Sequence, residues 1–175
     1  MDLKNRYELA ASFTGVGVEV GVEAGKFSSV ILTRGKVAHL YSIDPYLPFP
    51  GYFTPEQAED FFRQATNLLS AFFPRNTLLR QDGREAAPRF PDESLDFVYI
   101  DSSHELQETL QEMKLWWPKL KSGGILSGHD YANGKDIQLA VSYFTSNRSL
   151  SFTTTEADTD LPFPYLINSW IIRKP

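Results

Sequence analysis

The sequence has no cysteine and no long apolar run, and each absence excludes a class of protein. Without cysteine there is no disulfide framework, no thiol nucleophile and no cysteine-ligated zinc site. No stretch approaches the roughly 18 apolar residues of a membrane-spanning helix. The opening residues, MDLKNRYELAASF, lack the basic start and apolar run of a secretory signal. We therefore expect a cytoplasmic protein that does not enter a membrane.

Positively charged residues are fewer than negatively charged ones. The 175 residues include 17 lysines and arginines against 22 aspartates and glutamates, which gives a formal net charge of −5. Such a chain has no bulk electrostatic attraction for nucleic acid or for an anionic membrane surface. Hydrophobic residues make up 42% and charged residues 22% of the chain, as in an ordinary globular domain. We expect one domain, residues 1–175, without a nucleic-acid partner.

Strand-like and helix-like patterns alternate along the chain. Valine-rich or alternating segments predict strands at 15–21, 37–44, 76–82, 95–101, 123–130, 150–156 and 165–174. Apolar periodicity predicts helices at 27–34, between 54 and 74, at 104–117 and at 135–146. Strands separated by helices imply a mostly parallel sheet, whereas the last two strands should be antiparallel neighbours. The predicted fold class is α/β, a doubly wound Rossmann-like three-layer sandwich.

The clearest helix start is at Thr54. Thr54 can cap a helix, Pro55 suits its first position, and Gln57 completes a capping box. Apolar residues then recur with a period near 3.6 up to Pro74. A long amphipathic helix is therefore expected between the second and third strands.

Each of the first five strands ends in, or next to, an acidic residue. In open sheets of this type, ligands bind outside the carboxyl ends of the strands. The residues at those ends are Glu19 with Gly21, Asp44, Asp82, Asp101, and His129 with Asp130. Since parallel strands end at the same edge of a sheet, we expect these residues to line one ligand site.

The segment VEVGVEAGKFS, residues 18–28, is a strand that breaks into a glycine turn and resumes as a helix. The dinucleotide fingerprint G-x-G-x-x-G fails, because Val20 stands where its third glycine belongs. The phosphate-binding P-loop also fails, because only three residues separate Gly21 from Gly25 and Phe27 replaces the hydroxyl residue that binds magnesium. The turn therefore holds another ligand, or it serves only the close packing of helix on strand.

The charges beside this turn indicate the kind of ligand. Glu19 and Glu23 lie in or next to the turn and repel a phosphate, so a cationic or zwitterionic ligand is the better electrostatic match. Asp44, at the end of the second strand, can accept hydrogen bonds from two ribose hydroxyls, which suits an adenosine ligand. Asp44 can equally cap the following loop or lie solvated at the strand end.

Four segments together carry a family resemblance: VEVGVEAGKFS, LYSIDPY, LLRQDGREAAPRFPDESLDFVYIDSSHE and WWPKLKSGGILSGHDY. From about Tyr7 to Pro175 the chain resembles class I S-adenosylmethionine-dependent methyltransferases, in particular the small bacterial methyltransferase 24 branch. The resemblance implies a seven-stranded sheet with its last strand antiparallel, and S-adenosylmethionine as the cofactor.

The resemblance also implies roles for residues at the strand ends. The implied cofactor-binding residues are Glu19, Gly21, Gly25, Asp44, Asp82 and Asp101. The glycine turn matches the first cofactor motif, where the backbone passes the methionine part and Glu19 supports its polar end. Asp44 matches the ribose-binding acid and Asp82 the position beside the adenine. Asp101 faces the space in which the methyl group is transferred.

The candidate catalytic residues follow the fourth and fifth strands: Asp101, His104, His129 and Asp130. A methyl acceptor loses a proton at some stage, which a nearby base or a metal can promote. His104 lies at the expected start of a helix, so Ser102 or Ser103 could instead cap that helix and leave His104 at the surface. His39 precedes the core of the second strand and is expected to be structural or exposed.

A metal is the other means of activating an acceptor. Some metal-dependent O-methyltransferases place one acid after strand four and two acid or amide residues after strand five. By this resemblance the candidate metal ligands are Asp101, His129 and Asp130. Magnesium prefers oxygen ligands, so His129 departs from the pattern, and a role for it as general base is an equal alternative.

The resulting hypothesis is methyl transfer from S-adenosylmethionine to a small-molecule acceptor, at oxygen rather than nitrogen. The alternative is a non-catalytic module that binds the cofactor or a partner. A nicotinamide oxidoreductase is disfavoured by the failed glycine fingerprint. The aromatic, proline-rich segments 46–53 and 159–166 are expected to select the acceptor or to pack on the core. The aromatic content also permits a homodimer.

Overall fold

A seven-stranded sheet forms the centre of the fold within residues 3–48, 53–157 and 167–175, the part of the chain that this computed structural model describes. The strands are β1 (Thr14–Val20), β2 (Lys36–Asp44), β3 (Asn76–Arg80), β4 (Leu95–Ile100), β5 (Leu120–Gly128), β6 (Phe152–Thr154) and β7 (Trp170–Arg173). Their order in the sheet is β3-β2-β1-β4-β5-β7-β6. β7 is antiparallel to both β5 and β6, and all other neighbours are parallel.

Helices cover both faces of the sheet. They are α1 (Arg6–Ser12), α2 (Lys26–Arg34), α3 (Pro55–Leu69), α4 (Gly83–Ala86), α5 (Leu106–Trp116) and α6 (Lys135–Ser146). The first three pack in one apolar cluster, where the rings of Phe13 and Phe97 stack at 4.2 Å between centroids. The other three pack in a second cluster around Trp116 and Phe144. Among the described residues, no helix is long and apolar enough to cross a membrane.

Strand β4 shows how the sheet serves both layers. Phe97 and Tyr99 belong to the cluster of α1, α2 and α3, whereas Val98 and Ile100 belong to the cluster of α4, α5 and α6. This division follows from the strand geometry, because successive side chains point to opposite faces. A strand that is apolar on both faces is typical of a parallel sheet covered on both sides.

The structure confirms the predicted α/β sandwich and the antiparallel pairing of the last two strands. Some predicted bounds are wrong. β5 begins at Leu120 instead of Gly123, and the helix after β4 begins at Leu106 instead of His104. The closing strands are shorter than predicted. Helix α1 was not predicted at all; Asn5 caps it by accepting hydrogen bonds from the backbone N–H groups of Tyr7 and Glu8.

The start of α3 confirms the predicted capping box. The Gln57 amide donates to Thr54 Oγ1 at 3.3 Å, and the Thr54 amide donates to Gln57 Oε1 at 2.9 Å. Pro55 occupies the first helical position. This exchange satisfies two backbone donors that a helix start otherwise leaves unpaired.

The carboxyl ends of all strands except β7 lie at one edge of the sheet, which we call the carboxyl edge. β7 alone runs in the opposite direction, because it is antiparallel to both of its neighbours. The N-terminal segment returns to this edge, since the backbone N–H of Glu156, which follows β6, donates to the carbonyl of Leu3 at 3.2 Å. The predicted site residues therefore gather where an open α/β sheet binds its ligands.

Candidate functional site

The glycine turn joins β1 to α2 and is wedged between two neighbouring strands. The Gly21 amide donates to the carbonyl of Ile43 at 2.9 Å. Gly21 has φ +87°, and a Cβ atom at this position would lie 1.9 Å from the carbonyl oxygen of Asp101. Only glycine fits both the left-handed backbone and the close contact. Close packing against the segment that follows β4 is therefore one function of this turn.

Gly25 ends the turn and begins α2. Its φ of +79° is also left-handed, and its amide donates to the carbonyl of Val22 at 2.8 Å. A Cβ atom here would lie 3.2 Å from the Cα of Ala65 in α3. The turn thus presents main chain, without a capping side chain, at the N-terminus of α2.

Glu19 lies near the end of β1 and is 1% exposed. Its carboxyl is hydrogen-bonded to the Ser28 hydroxyl. The Ser42 hydroxyl donates to Ser28 Oγ at 3.1 Å, and Asn76 Nδ2 donates to Ser42 Oγ at 2.8 Å. Burial raises the pKa of Glu19 well above its ordinary value, although the bond to Ser28 acts in the opposite direction. Glu19 therefore links β1 to α2 as the end of a buried polar chain.

Asp44, at the end of β2, binds the backbone of two loops. Its Oδ2 accepts from the amides of Val22 and Glu23 at 2.8 and 3.0 Å, and its Oδ1 accepts from the Tyr46 amide at 2.8 Å. The predicted alternative, that Asp44 caps the following loop, is confirmed. A carboxylate offers about four acceptor positions, so roughly one is left for a ligand hydroxyl.

Asp82, which follows β3, is the N-cap of α4. Arg84 binds it through Nη2 at 2.7 Å and Nε at 3.0 Å, and also donates to Glu108 at 3.1 Å. The hydrogen bonds from Arg84 lower the pKa of Asp82 below its ordinary value. Asp82 is thus an ionised group whose charge is already balanced within the chain.

The other end of the carboxyl edge brings two imidazoles and two carboxylates together. His104 Nε2 lies 2.9 Å from Asp130 Oδ2. His129 Nδ1 lies 3.5 Å from the same oxygen and 3.8 Å from Asp101 Oδ2. The His104 side chain is 58% exposed and that of His129 is 6% exposed. The four predicted catalytic residues therefore form one cluster, with His104 on its open side.

The members of this cluster differ in their tendency to ionise. Burial alone would raise the pKa of Asp130, but hydrogen bonds from His104 and His129 lower it well below the ordinary value. The bond to Asp130 raises the pKa of His104. Burial raises the pKa of Asp101, because the attraction of His129 does not offset the loss of water. The surroundings thus shift the pKa values of two neighbouring carboxyls in opposite directions.

The chain reaches this cluster through two unusual local conformations. Asp130 has φ +57°, a left-handed conformation that is uncommon for a residue with a side chain. Glu105, the last residue before α5, has an extended backbone, and Ser103 Oγ accepts from its amide at 3.2 Å. Helix α5 begins with Glu105 as its N-cap, so the prediction that His104 starts the helix is wrong. His104 lies in the loop, where it reaches Asp130.

One group of side chains has a geometry suited to a metal ion. Ligand atoms of Asp101, His104 and Asp130 all lie within 4.8 Å of one another. This set contains His104 in place of the predicted His129. His129 Nδ1 lies 3.5 Å from Asp130 Oδ2 and 3.8 Å from Asp101 Oδ2. Two carboxylate oxygens and an imidazole nitrogen suit a transition-metal ion better than magnesium.

Some predicted features lie away from this cluster or beyond the described residues. His39 Nε2 lies 3.0 Å from Thr77 Oγ1, between β2 and β3. In the aromatic segment 46–53, Tyr46 is buried with its ring 5.0 Å from that of Phe62, as the packing alternative expected. Residues 49–52 and all of segment 159–166 lie outside the described residues.

The sequence interpretation missed two charged residues near the site. Glu112, on α5, is 4% exposed, and it accepts a hydrogen bond from Ser102 Oγ at 2.5 Å. Arg6, on α1, lies beside the ring of Phe27 in α2. An asparagine followed three residues later by a glutamate, as in Asn5–Glu8, is a helix-start signal that could have revealed α1 and with it Arg6.

Several solved structures share this fold over nearly their whole length. The Streptococcus mutans protein SMU.1697c, in complex with SAH, has a TM-score of 0.69 at 12% identity, covering 97% of this chain and 96% of the other. An rRNA methylase from Streptococcus thermophilus has a TM-score of 0.69 at 13% identity, with 97% and 93% covered. A precorrin 8w decarboxylase from Methanobacterium thermoautotrophicum has a TM-score of 0.67 at 18% identity, with 99% and 97% covered. At such identities the likeness shows the fold alone.

The sequence also matches a family. No curated protein sequence matches it. The family model described as Methyltransferase domain, Methyltransf_24, matches residues 18–131, which is more than half of the chain. This range begins in β1 and ends just past His129 and Asp130, so it includes the whole of both site regions described above. The chain therefore belongs to the Methyltransferase domain family Methyltransf_24.

Proposed function

We propose that this chain transfers the methyl group of S-adenosylmethionine to an oxygen atom of a small-molecule acceptor. The family supports the class of enzyme. The similar protein SMU.1697c was solved with SAH, the product that a methyl donor of this kind leaves. The oxygen acceptor and the residue roles are argued from the carboxyl edge.

The glycine turn fits the methionine end of this cofactor. Gly21 and Gly25 bring main chain to the edge without side chains. The turn, residues 21–25, contains no lysine or arginine. Asp44 retains an acceptor position for a ribose hydroxyl. Bound S-adenosylmethionine supplies an electrophilic methyl group on a sulfonium, and a positive centre of this kind is stabilised by the acids of the edge.

The observation that carries the proposal is the position of the histidine–aspartate cluster directly beside the glycine turn. The carbonyl of Asp101 is the group that contacts Gly21, so the glycine turn and the cluster are in direct contact. In an in-line displacement the new O–C bond forms as the C–S bond breaks, and holding both partners in line supplies much of the acceleration. An acceptor bound beside His104 and Asp101 would lie next to the methyl group of a donor held in the turn.

We assign the acceptor's proton to His104. Its Nε2 donates to Asp130, which leaves the lone pair of Nδ1 to take the proton from the acceptor hydroxyl. Its exposure lets an acceptor reach it, whereas His129 is buried and positions the two carboxylates. Asp130 then stabilises the imidazolium that forms.

A divalent ion is the alternative means of activating the acceptor. Asp101, His104 and Asp130 would hold it, and it would polarise the acceptor oxygen and favour loss of its proton. The two versions separate in one assay. If the proposal holds, methyl transfer persists in a chelator; activity that disappears and returns with one divalent ion contradicts the role of His104 as base.

The charge of the edge supports a small acceptor over a nucleic acid. Asp44 and Asp130 lie along it, and the chain carries a net charge of −5. Acids at the point of reaction repel the phosphates that flank a nucleotide. One protein of the same fold is an rRNA methylase, so RNA belongs in the acceptor panel as the contrary outcome.

The first test is calorimetric titration with S-adenosylmethionine, SAH and NAD. We expect both adenosyl ligands to bind, NAD not to bind, and Asp44→Ala to weaken binding at least about 10-fold. Asp92→Ala is the matched control, since Asp92 is exposed and pairs with Lys119 before β4, away from the carboxyl edge. Absence of adenosyl binding, or binding indifferent to Asp44, contradicts the proposal.

The second test separates an enzyme from a binding module. Purified protein is incubated with S-adenosylmethionine and a panel of phenols, sugars, amines and rRNA fragments, and methylated products are detected by mass spectrometry. We expect a product from an oxygen acceptor of low molecular mass. Cofactor binding without any product supports the non-catalytic module, and a methylated RNA contradicts the small acceptor.

A further inference from the structure

Helix α5 buries two polar side chains among residues that are otherwise apolar. Thr109 is 1% exposed and Glu112 is 4% exposed. The other buried residues of the helix are Leu110, Met113 and Trp116. A buried hydroxyl or carboxyl is unfavourable unless hydrogen bonds replace those that it loses with water. The hydrogen-bond partners of these two side chains therefore indicate their role.

Both side chains bind the loop between β4 and α5. Thr109 Oγ1 donates to the carbonyl of Ser103 at 3.0 Å, and Glu112 Oε2 accepts from Ser102 Oγ at 2.5 Å. Thr109 and Glu112 are three residues apart, so they lie on the same side of the helix. The helix thus holds two consecutive loop residues, one by its main chain and one by its side chain.

These bonds fix a segment that the sheet does not fix. The backbone of Asp101 still belongs to the sheet, since its amide donates to the carbonyl of Val20 at 2.7 Å. Within the described part of the chain, no backbone–backbone hydrogen bond involves residues 102–104. His104 ends this segment, so the bonds of Ser102 and Ser103 to α5 fix the backbone that leads to it.

His104 depends on this backbone more than a buried residue would. Its side chain is exposed, and its Nε2 lies 2.9 Å from Asp130 Oδ2, a residue of the separate loop after β5. A displacement of a reacting group by about 1 Å can cost on the order of 100-fold in rate. Proton transfer at His104 therefore requires that the loop before α5 keep one conformation.

We propose that Thr109 and Glu112 are positioning residues for His104, an inference that rests on the proposed function. They act through Ser103 and Ser102, not on the acceptor itself. A hydrogen-bonded pair that is replaced by apolar groups of the same shape can leave stability nearly unchanged. The two buried bonds are therefore better explained by the loop conformation that they select than by the stability that they add.

The test removes each bond separately. Thr109→Val loses the hydroxyl that binds the loop, and Ser102→Ala removes the donor to Glu112. We expect each variant to lower kcat about 10-fold with the acceptor found in the panel. The KM for S-adenosylmethionine should stay within about 2-fold, because the glycine turn is unchanged. Thr109→Ser and Glu112→Gln keep a hydroxyl and an acceptor oxygen, so they should retain most of the activity.

Thr145→Val is the matched control. Thr145 is 3% exposed, and its Oγ1 donates to the carbonyl of Val141 at 2.8 Å near the C-terminal end of α6. This variant also loses a buried hydroxyl, but it should keep kcat. Thr109→Val is then combined with His104→Gln, where it should have little further effect on kcat because the side chain that it positions is absent.

The order of the loop is measured without the reaction, by NMR relaxation of the backbone amides. The order parameters of Ser103 and His104 should be near about 0.85 in wild type and below about 0.6 in Thr109→Val. If Thr109→Val does not fold, Ser102→Ala decides. Unchanged order parameters, or an equal further loss of kcat in the His104→Gln background, overturn the positioning role. A wild type with an ordered loop that transfers no methyl group overturns the proposed function, and the positioning role with it.

Discussion

The acidic side chains in the two halves of the carboxyl edge have different bonding partners. In the donor half, after β1, β2 and β3, Asp44 accepts three backbone amides and Asp82 is bound by Arg84. In the acceptor half, after β4 and β5, Asp101 and Asp130 face imidazoles and each other. The first arrangement fixes the shape of a loop. The second leaves side chains whose protonation can change during a reaction.

The difference has an electrostatic basis. Hydrogen bonds from Arg84 keep Asp82 ionised, with a lowered pKa. In the acceptor half the pKa of Asp130 is lowered and that of Asp101 is raised, although both belong to one cluster. Environments that push the pKa values of neighbouring groups apart are typical of acid–base sites. This difference supports the proposed roles, which are cofactor binding for the donor half and proton transfer for the acceptor half.

The largest effect should come from a change that damages both halves at once. Gly21→Ala places a methyl group 1.9 Å from the Asp101 carbonyl, in a left-handed backbone conformation. The two halves cannot keep their contact, so we expect the free energy of unfolding to fall by more than about 3 kcal/mol and SAH binding to be lost. Urea unfolding and calorimetry measure the two effects.

Gly123→Ala is the control for backbone strain alone. Gly123 has φ +78°, but a Cβ atom there would meet no atom within 4 Å. Its substitution should cost about 1 kcal/mol and leave SAH binding unchanged. Equal losses of stability and of SAH binding in the two variants would show that the contact between Gly21 and the Asp101 carbonyl stabilises neither the fold nor the site.

Most of the fold could be predicted from local sequence patterns. The valine-rich β1, the apolar β4 and the capping box at Thr54 are each contained in a few consecutive residues. Helix α1 escaped because it has seven residues, of which Leu9 and Ala10 are buried, and so shows no periodicity. The start of β5 at Leu120 depends on its pairing with β4, which no local pattern contains.

The residues that line the carboxyl edge were predictable from the sequence, but their contacts were not. The rule that ligands bind at strand ends correctly selected the residues of the edge. That Asp44 binds two loops depends on where the turn places the amides of Val22 and Glu23. The nearness of His104 to Asp130 depends on the path of the loop before α5 and on the left-handed backbone of Asp130, and residue spacing indicates neither.

The acceptor half alone should be damaged by His104→Gln. Removal of the proton acceptor is expected to lower kcat about 100-fold or more, whereas SAH affinity should stay within about 2-fold because the donor half is intact. Methyl transfer to the acceptor found in the panel measures the first effect, and calorimetry the second. His39→Gln is the control, since His39 lies by Thr77 between β2 and β3. Equal loss of SAH binding in His104→Gln would mean that the halves are not separate.

The smallest effect concerns Glu112, the buried carboxyl that lies where the two halves meet. It accepts a hydrogen bond from Ser102, next to Asp101 in the acceptor half. A Cβ atom on Gly83 in the donor half would lie 3.3 Å from its Oε1. Burial raises the pKa of Glu112 from its ordinary value to about 7, although the bond to Ser102 acts in the opposite direction.

The sign of the resulting pH dependence follows from proton binding. Between the unfolded pKa of 4.5 and the folded value of about 7, the folded protein holds a proton that the unfolded chain releases. Stability should therefore fall as pH rises through this window.

Glu112→Gln removes this contribution, so the variant should match wild type near pH 5 and exceed it by on the order of 1–2 kcal/mol at pH 8. Urea unfolding at both pH values measures the difference, with Glu105→Gln, the exposed N-cap of the same helix, as control. A wild-type pH dependence that survives in Glu112→Gln would assign it to Glu19, the buried carboxyl of the donor half, whose pKa burial also raises.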